Sequence, residues 1–145
     1  MSSAAAVDAA TAPIFVAPIT VRWRDLDAFN HVNNANYLTY LEEARLQWLQ
    51  PLRDWSDTSN SPVLAASEVN YRQPITWPAS LQVELRCVHL GNSSLALAHR
   101  IVDAADSSRL YSDGKVVMVW VNPATGKPVA IPQLIRDAAG RNPAG

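Results

Sequence analysis

The chain has 145 residues, 48% of them hydrophobic and 17% charged, and its 12 basic and 13 acidic side chains leave a net charge of −1. That length suits one domain with a sizeable core; the composition excludes bulk disorder, and no Lys/Arg stripe offers a nucleic acid its electrostatic footprint. The single cysteine, Cys87, excludes an internal disulfide and fits a reducing compartment. It sits in an alternating strand pattern and reads as a packed apolar side chain rather than a nucleophile.

Residues 1–13, MSSAAAVDAATAP, lack apolar periodicity and are expected to form a disordered tail. They have no basic region and carry Asp8, so they do not read as a secretion signal. No apolar run is long enough to span a bilayer. A cytoplasmic protein without a membrane or nucleic-acid partner is expected, with one folded domain over 14–135 and a flexible tail over 136–145. From Phe15, every second residue to Trp23 is apolar (Ala17, Ile19, Val21), which is a strand period. Pro18 cannot donate to a ladder and belongs near an edge or an irregularity. After a polar stretch the period changes. Tyr37, Leu41, Ala44, Trp48 and Leu52 share one helical face, predicting a helix over about Asn34–Gln50 that stops at Pro51. Strand patterns then persist over Val63–Pro74, Leu81–Cys87, Leu95–Ile101 and Lys115–Val121, with Gly91-Asn92 as a hairpin signal. KVVMVWV is apolar on both faces, as a central or covered strand is. One strand, one long helix and four further strands predict an α+β layer with the helix on one sheet face. Apolar residues on the other sheet face point to self-association.

The chemistry-bearing stretch is DLDAFNHVNNANY, from Asp25 to Tyr37, at the junction of strand end and helix start. A helix start exposes unpaired N–H groups, and these with the helix dipole favour negative charge. An upstream carboxylate is placed to attack a carbonyl carbon or activate water, while the N–H groups receive the developing oxyanion. Asp and Asn are also ordinary capping and turn residues, and a lone His31 is more often packed than catalytic. His89 and His99 show no ligand spacing with Asp25, Asp27 and His31, so no metal is expected. Neither a G-x-S-x-G elbow nor a phosphate or dinucleotide loop is present.

DLDAFNHVNNANYLTYLEEAR resembles the N-terminal motif of the 4-hydroxybenzoyl-CoA thioesterase-like family, acyl-CoA thioesterases of the hotdog fold. A looser similarity runs over about residues 15–132 and includes VNYRQPI, the G-N-S-S hairpin and KVVMVWVNPATGKPVAIP. The resemblance implies a hotdog fold, with a central helix wrapped by a curved antiparallel sheet of about five strands. It implies hydrolysis of acyl-CoA to a carboxylic acid and CoA, with no cofactor beyond the CoA of the substrate. Asp27 matches the catalytic carboxylate, as nucleophile or general base, and Asn34 the position whose backbone N–H polarises the thioester carbonyl. Asp25 matches a loop-fixing position; His31 and Asn33 have supporting roles. Asn92, Ser93 and Ser94 are candidates for binding the CoA nucleotide, often across subunits; Arg72 reads rather as a solvated strand charge. Ser67 or Glu68 is a candidate for a second-subunit group near the carboxylate. Tyr37, Tyr40, Trp23 and Trp77 are candidate walls of an acyl pocket. A homodimer or homotetramer is implied. Many relatives have Gly where this chain has Asn30, and Asn tolerates positive φ better than most residues. The alternatives are a hotdog hydratase or dehydratase pairing Asp27 with His31, and a non-catalytic acyl-CoA binding protein.

Overall fold

The computed structural model describes residues 11–140. Strand β1 (Phe15–Thr20) is followed by helix α1 (Asn34–Leu49) and strands β2 (Ser61–Tyr71), β3 (Ser80–Leu90), β4 (Ser94–Asp103) and β5 (Leu110–Val121), and a second helix, α2 (Gln133–Gly140), comes last. The strands form one sheet in the order β1-β3-β4-β5-β2, antiparallel at each pairing. This is the α+β hotdog arrangement: α1 lies on one sheet face, and extra residues in β2, β3 and β5 shift the register, as bulges that curve a sheet do. The prolines within strands, Pro18 in β1 and Pro62 in β2, sit in the two edge strands, where a missing N–H costs least.

The core forms where the two periods meet. From α1, Tyr37, Tyr40, Leu41, Ala44, Trp48 and Leu49 are buried. They face every second residue of the strands, including Leu81, Val83 and Leu85 of β3, Leu95, Leu97 and Ile101 of β4, and Val116, Met118 and Trp120 of β5. The helix ends at Leu49 and tightens into a 3₁₀ turn over Gln50–Leu52 around Pro51. Strand β5 alternates buried and half-buried residues and lies inside the sheet, as its doubly apolar sequence predicts. The outer sheet face is covered in part by charge. Glu84 accepts from Arg86 at 2.7 Å and from Arg100 at 2.9 Å, above the small buried Ala96 and Ala98.

Three expectations need correction. The segment from 136 is not wholly a tail: α2 carries the folded unit through Gly140, burying Ile135, Ala138 and Ala139, while 141–145 lie outside the described residues. Small alanines on its buried face hid the amphipathic pattern. At the other end, the Thr11 carbonyl accepts from Arg86 Nε at 2.6 Å; residues 1–10 of the expected tail lie outside the described residues. The β3–β4 turn is centred on Asn92-Ser93 rather than Gly91-Asn92, because the Gly91 N–H donates to the Ser94 carbonyl. No helix among the described residues is long and apolar enough to cross a membrane.

Candidate functional site

Between β1 and α1 the chain makes a small hairpin. The Asn33 N–H donates to the Asp25 carbonyl at 2.8 Å and the Asp27 N–H to the His31 carbonyl at 2.9 Å, with Leu26 and Val32 bridged between them. Asp27 and His31 therefore stand across from each other near the tip. The tip closes because Asn30 takes φ 61°, the left-handed conformation that Gly would otherwise supply. Asp27 is half-buried, and its Oδ1 accepts the Phe29 N–H at 2.9 Å. His31 is exposed.

Helix α1 starts at the foot of this hairpin. Asn33 is the N-cap; its side chain accepts the Ala35 N–H at 3.0 Å and its carbonyl the Asn36 N–H at 2.8 Å. The Asn34 N–H has no acceptor among the described residues. The end of β2 is stitched to the same place. Tyr71 Oη donates to the Asn34 carbonyl at 3.2 Å, Tyr37 Oη to the Gln73 carbonyl at 3.3 Å, and the Val32 N–H to the Ile75 carbonyl at 2.8 Å. The Tyr37 and Tyr71 rings meet edge to face at 4.8 Å.

Together these contacts enclose a cavity of about 350 Å³ lined by Asp27, His31, Asn34 and, from the β2 side, Tyr71, Arg72 and Gln73; Phe29, Val32, Tyr37 and Pro74 add apolar wall. Asp27 and Asn34, a carboxylate residue and one with an acceptor-free amide at a helix start, thus line one space, the two components that acyl transfer needs. Among the described residues no cluster of three or more His, Cys, Asp or Glu is gathered for a metal.

The two acids of D-x-D differ sharply. Asp25 is 1% exposed. Its Oδ2 accepts the Arg22 N–H at 3.0 Å and the Tyr40 hydroxyl at 2.7 Å, and its Oδ1 accepts Arg22 Nε at 3.2 Å, Arg22 Nη2 at 3.0 Å and Asn36 Nδ2 at 3.0 Å. Burial pushes its pKa up, but the Arg22 amide, the Tyr40 hydroxyl and the Arg22 guanidinium outweigh burial and hold it below the usual carboxylate value. The Tyr40 phenol is driven well above its ordinary value by burial and by the Asp25 carboxylate it faces.

The other sequence candidates fall elsewhere. Ser94 pairs with Val119, which pairs with Val63, whereas Tyr71 pairs with Ser112 at the other end of β5. Asn92, Ser93 and Ser94 thus lie about 25 Å along the strands from the cavity of their own chain, at roughly 3.3 Å per residue. The Asn92 and Ser93 carbonyls instead accept the Ile131 and Trp120 amides. Ser67 borders a separate cavity with Glu42, Arg45 and Leu64, and Glu68 accepts from Asn70 Nδ2 at 3.3 Å. Of the four aromatic candidates only Tyr37 lines the cavity with Asp27; Tyr40 borders another groove, and Trp23 and Trp77 are exposed. Arg72 does line the cavity, while its Nη2 pairs with Asp113 Oδ1 at 3.0 Å. Phe29, Tyr71, Gln73 and Pro74 were not expected there. The only pointer to most of them was VNYRQPI, whose role depends on where β2 ends.

The Thioesterase-like superfamily profile matches residues 21–139. The long-chain acyl-CoA thioesterase FadM of Escherichia coli K12 is 28% identical over 122 residues, spanning 82% of this chain and 92% of FadM. Among solved structures, the PA2801 protein of Pseudomonas aeruginosa is 39% identical with a TM-score of 0.83, over 87% of this chain and 98% of that one. A Thermus thermophilus thioesterase, solved with coenzyme A and Zn, is 34% identical with a TM-score of 0.74, over 89% of this chain and 97% of its own.

Proposed function

This chain belongs to the Thioesterase-like superfamily and is a thioester hydrolase, and from that premise we propose that it cleaves acyl-CoA in the cavity at the start of α1, with Asp27 as its catalytic carboxylate. The supporting observation is that Asp27 and Asn34, whose N–H has no acceptor among the described residues, line the same cavity. In this mechanism the thioester carbonyl oxygen points at the Asn34 N–H, where the amide and the helix dipole stabilise the charge that develops on it. Asp27 acts on the carbonyl carbon, directly as nucleophile or through a water that it deprotonates. In the water route the C–S bond breaks, the hydroxyl stays on the acyl carbon as the acid, and the proton taken by Asp27 passes to the departing CoA sulfur. In the nucleophile route the C–S bond breaks to leave an acyl anhydride on Asp27, and water then splits it, releasing the acid, restoring the Asp27 carboxylate and giving a proton to the CoA thiolate. His31, on the facing arm of the hairpin, and Asn33, as the cap, brace this geometry. The chain works in the cytoplasm without a resident cofactor.

The enzyme acts as a homodimer, or as a homotetramer built from two such dimers. Two features support this: β2 is an edge strand with Val63 and Leu64 exposed, and Leu38 and Leu46 are exposed on α1. Antiparallel pairing of β2 with its own copy brings the partner's Val63 end toward Tyr71. That brings the partner's Asn92-Ser93-Ser94 turn toward the cavity, where the CoA nucleotide emerges.

Turnover of acetyl-, octanoyl-, palmitoyl- and benzoyl-CoA, followed by free thiol, tests the assignment. Asp27→Asn is nearly isosteric and is expected to stay folded with most hydrolysis lost. Turnover within a few-fold of the unsubstituted enzyme on the best substrate refutes Asp27 as the catalytic carboxylate.

A further inference from the structure

We propose that Asp25 is a positioning residue for hydrolysis: its buried carboxylate locks the hairpin carrying Asp27 onto the first two turns of α1, fixing the carboxylate against the amide that receives the oxyanion. This rests on the assignment of Asp27 and Asn34 above.

The argument begins with what the hairpin lacks. It spans nine residues from Asp25 to Asn33, held by three backbone hydrogen bonds, one of them at the tip from the Asn30 N–H to the Asp27 carbonyl, and by the Leu26–Val32 bridge. Phe29 and Asn30 at its tip are exposed and pack on little. A loop so held is free to rock about its base unless the base is tied down. The buried Val32, whose N–H donates to the Ile75 carbonyl, anchors one arm to the segment after β2, and the Asp25 side chain ties the other arm to α1. Its carboxylate reaches Asn36 on the first turn of α1 and Tyr40 on the second, while its own carbonyl holds Asn33, the residue that caps the helix. Arg22, two residues past the end of β1, holds the same carboxylate from the other side with its backbone N–H and its guanidinium. Strand, hairpin and helix thus meet on one pair of oxygens, which carry five donors and are almost wholly withdrawn from water.

Such a buried, fully satisfied carboxylate defines one geometry rather than a range, since each displaced oxygen strands a donor in the interior. Catalytic groups need placement within about 0.5 Å, and a shift of about 1 Å at a remote support costs up to about 100-fold in rate. Asp25 itself does not line the cavity with Asp27. Its effect therefore falls on the chemical step and not on the affinity for CoA.

Tyr40→Phe removes one hydroxyl and keeps the ring; Asp25→Asn keeps the shape and replaces an acceptor by a donor. Both are assayed beside Asp27→Asn on the best of the four CoA thioesters, at a temperature where circular dichroism shows each variant folded. Binding of free CoA is measured separately. The expected result is a drop in kcat of about 10-fold for Tyr40→Phe and about 100-fold for Asp25→Asn, with KM and CoA affinity within about two-fold and the Asn34 amide resonance displaced. A lowered melting temperature with kcat unchanged in the folded variants overturns the proposal and leaves Asp25 as a structural residue only. If Asp25→Asn fails to fold, Tyr40→Phe decides alone. Full activity in Asp27→Asn sinks the site assignment and the positioning role with it. An inactive Asp27→Asn beside a fully active Tyr40→Phe sinks the positioning role alone.

Discussion

Asp25 and Asp27 stand two residues apart on one arm of the same hairpin, yet the chain treats them in opposite ways. The Asp25 side of the bend is buried, with five donors on its two oxygens. The Asp27 side is half-open, one oxygen holding the Phe29 amide, and it looks into the cavity where the helix begins. Strand geometry makes the difference. Residues i and i+2 point the same way, but the base of the hairpin meets α1 and its tip does not. Complete satisfaction suits a carboxylate that must not move, and spare acceptor capacity suits one that must react.

The sharpest way to break this comparison is to exchange the effects of the two acids. Asp27→Asn should cost about 100-fold or more in turnover while leaving the denaturant midpoint nearly unchanged, since few contacts are lost. Asp25→Ala should do the reverse in stability, lowering the unfolding free energy by about 2–4 kcal/mol because the Tyr40 hydroxyl and the Arg22 amide are left unpaired; chemical denaturation measures both. Equal stability losses for the two would erase the distinction.

Acid titration sharpens it further. Asp25 has a folded pKa below its unfolded value of 3.8, so its stabilisation is fully present above that value and disappears as pH falls through the folded one. Stability should drop below about pH 4, and Asp25→Asn should flatten that drop. A second buried group acts at higher pH. His99 is 3% exposed, and neither ring nitrogen has a partner among the described residues. Burial lowers its pKa from 6.5 to about 4, with Arg45 adding to the shift and Asp113 opposing it. The unfolded chain therefore binds the proton first. Stability is complete above 6.5 and declines as pH falls toward 4, and His99→Leu should abolish that earlier decline in a pH series of melting temperatures.

The smallest effect belongs to Asn34. If the backbone N–H alone receives the oxyanion, Asn34→Ala should retain turnover within about three-fold, since helix propensity changes by only a few tenths of a kcal/mol. A complete loss would assign the side chain a part in the chemistry.

Much of this was legible in the chain. The change of period after the polar stretch predicted α1 to within a residue at each end, because Tyr37, Leu41, Ala44 and Trp48 recur on one helical face and Pro51 stops the run. The strand alternations predicted the other layer, and Pro18 announced an edge. The α2 helix was not legible, because Ala138 and Ala139 bury too little to stand out from an alanine-rich tail. Arg72 read as a solvated charge because nothing local to it shows that β2 ends beside the hairpin. The Asn92–Ser94 turn was a reasonable candidate by motif, but strand register places it at the far end of its own subunit.

By itself the sequence determined the element order, the helix face and the polar junction where the chemistry lies, since all three follow from local periods and capping within a few turns of chain. Only the tertiary structure decided which of two neighbouring acids is sealed and which is open, and which residues of β2 complete the cavity. Those outcomes depend on contacts between segments such as Asp25 with Tyr40 and Asn34 with Tyr71, separated by 15 and 37 positions. No local pattern carries that information, because the burial that separates the two carboxylates exists only once sheet and helix have packed.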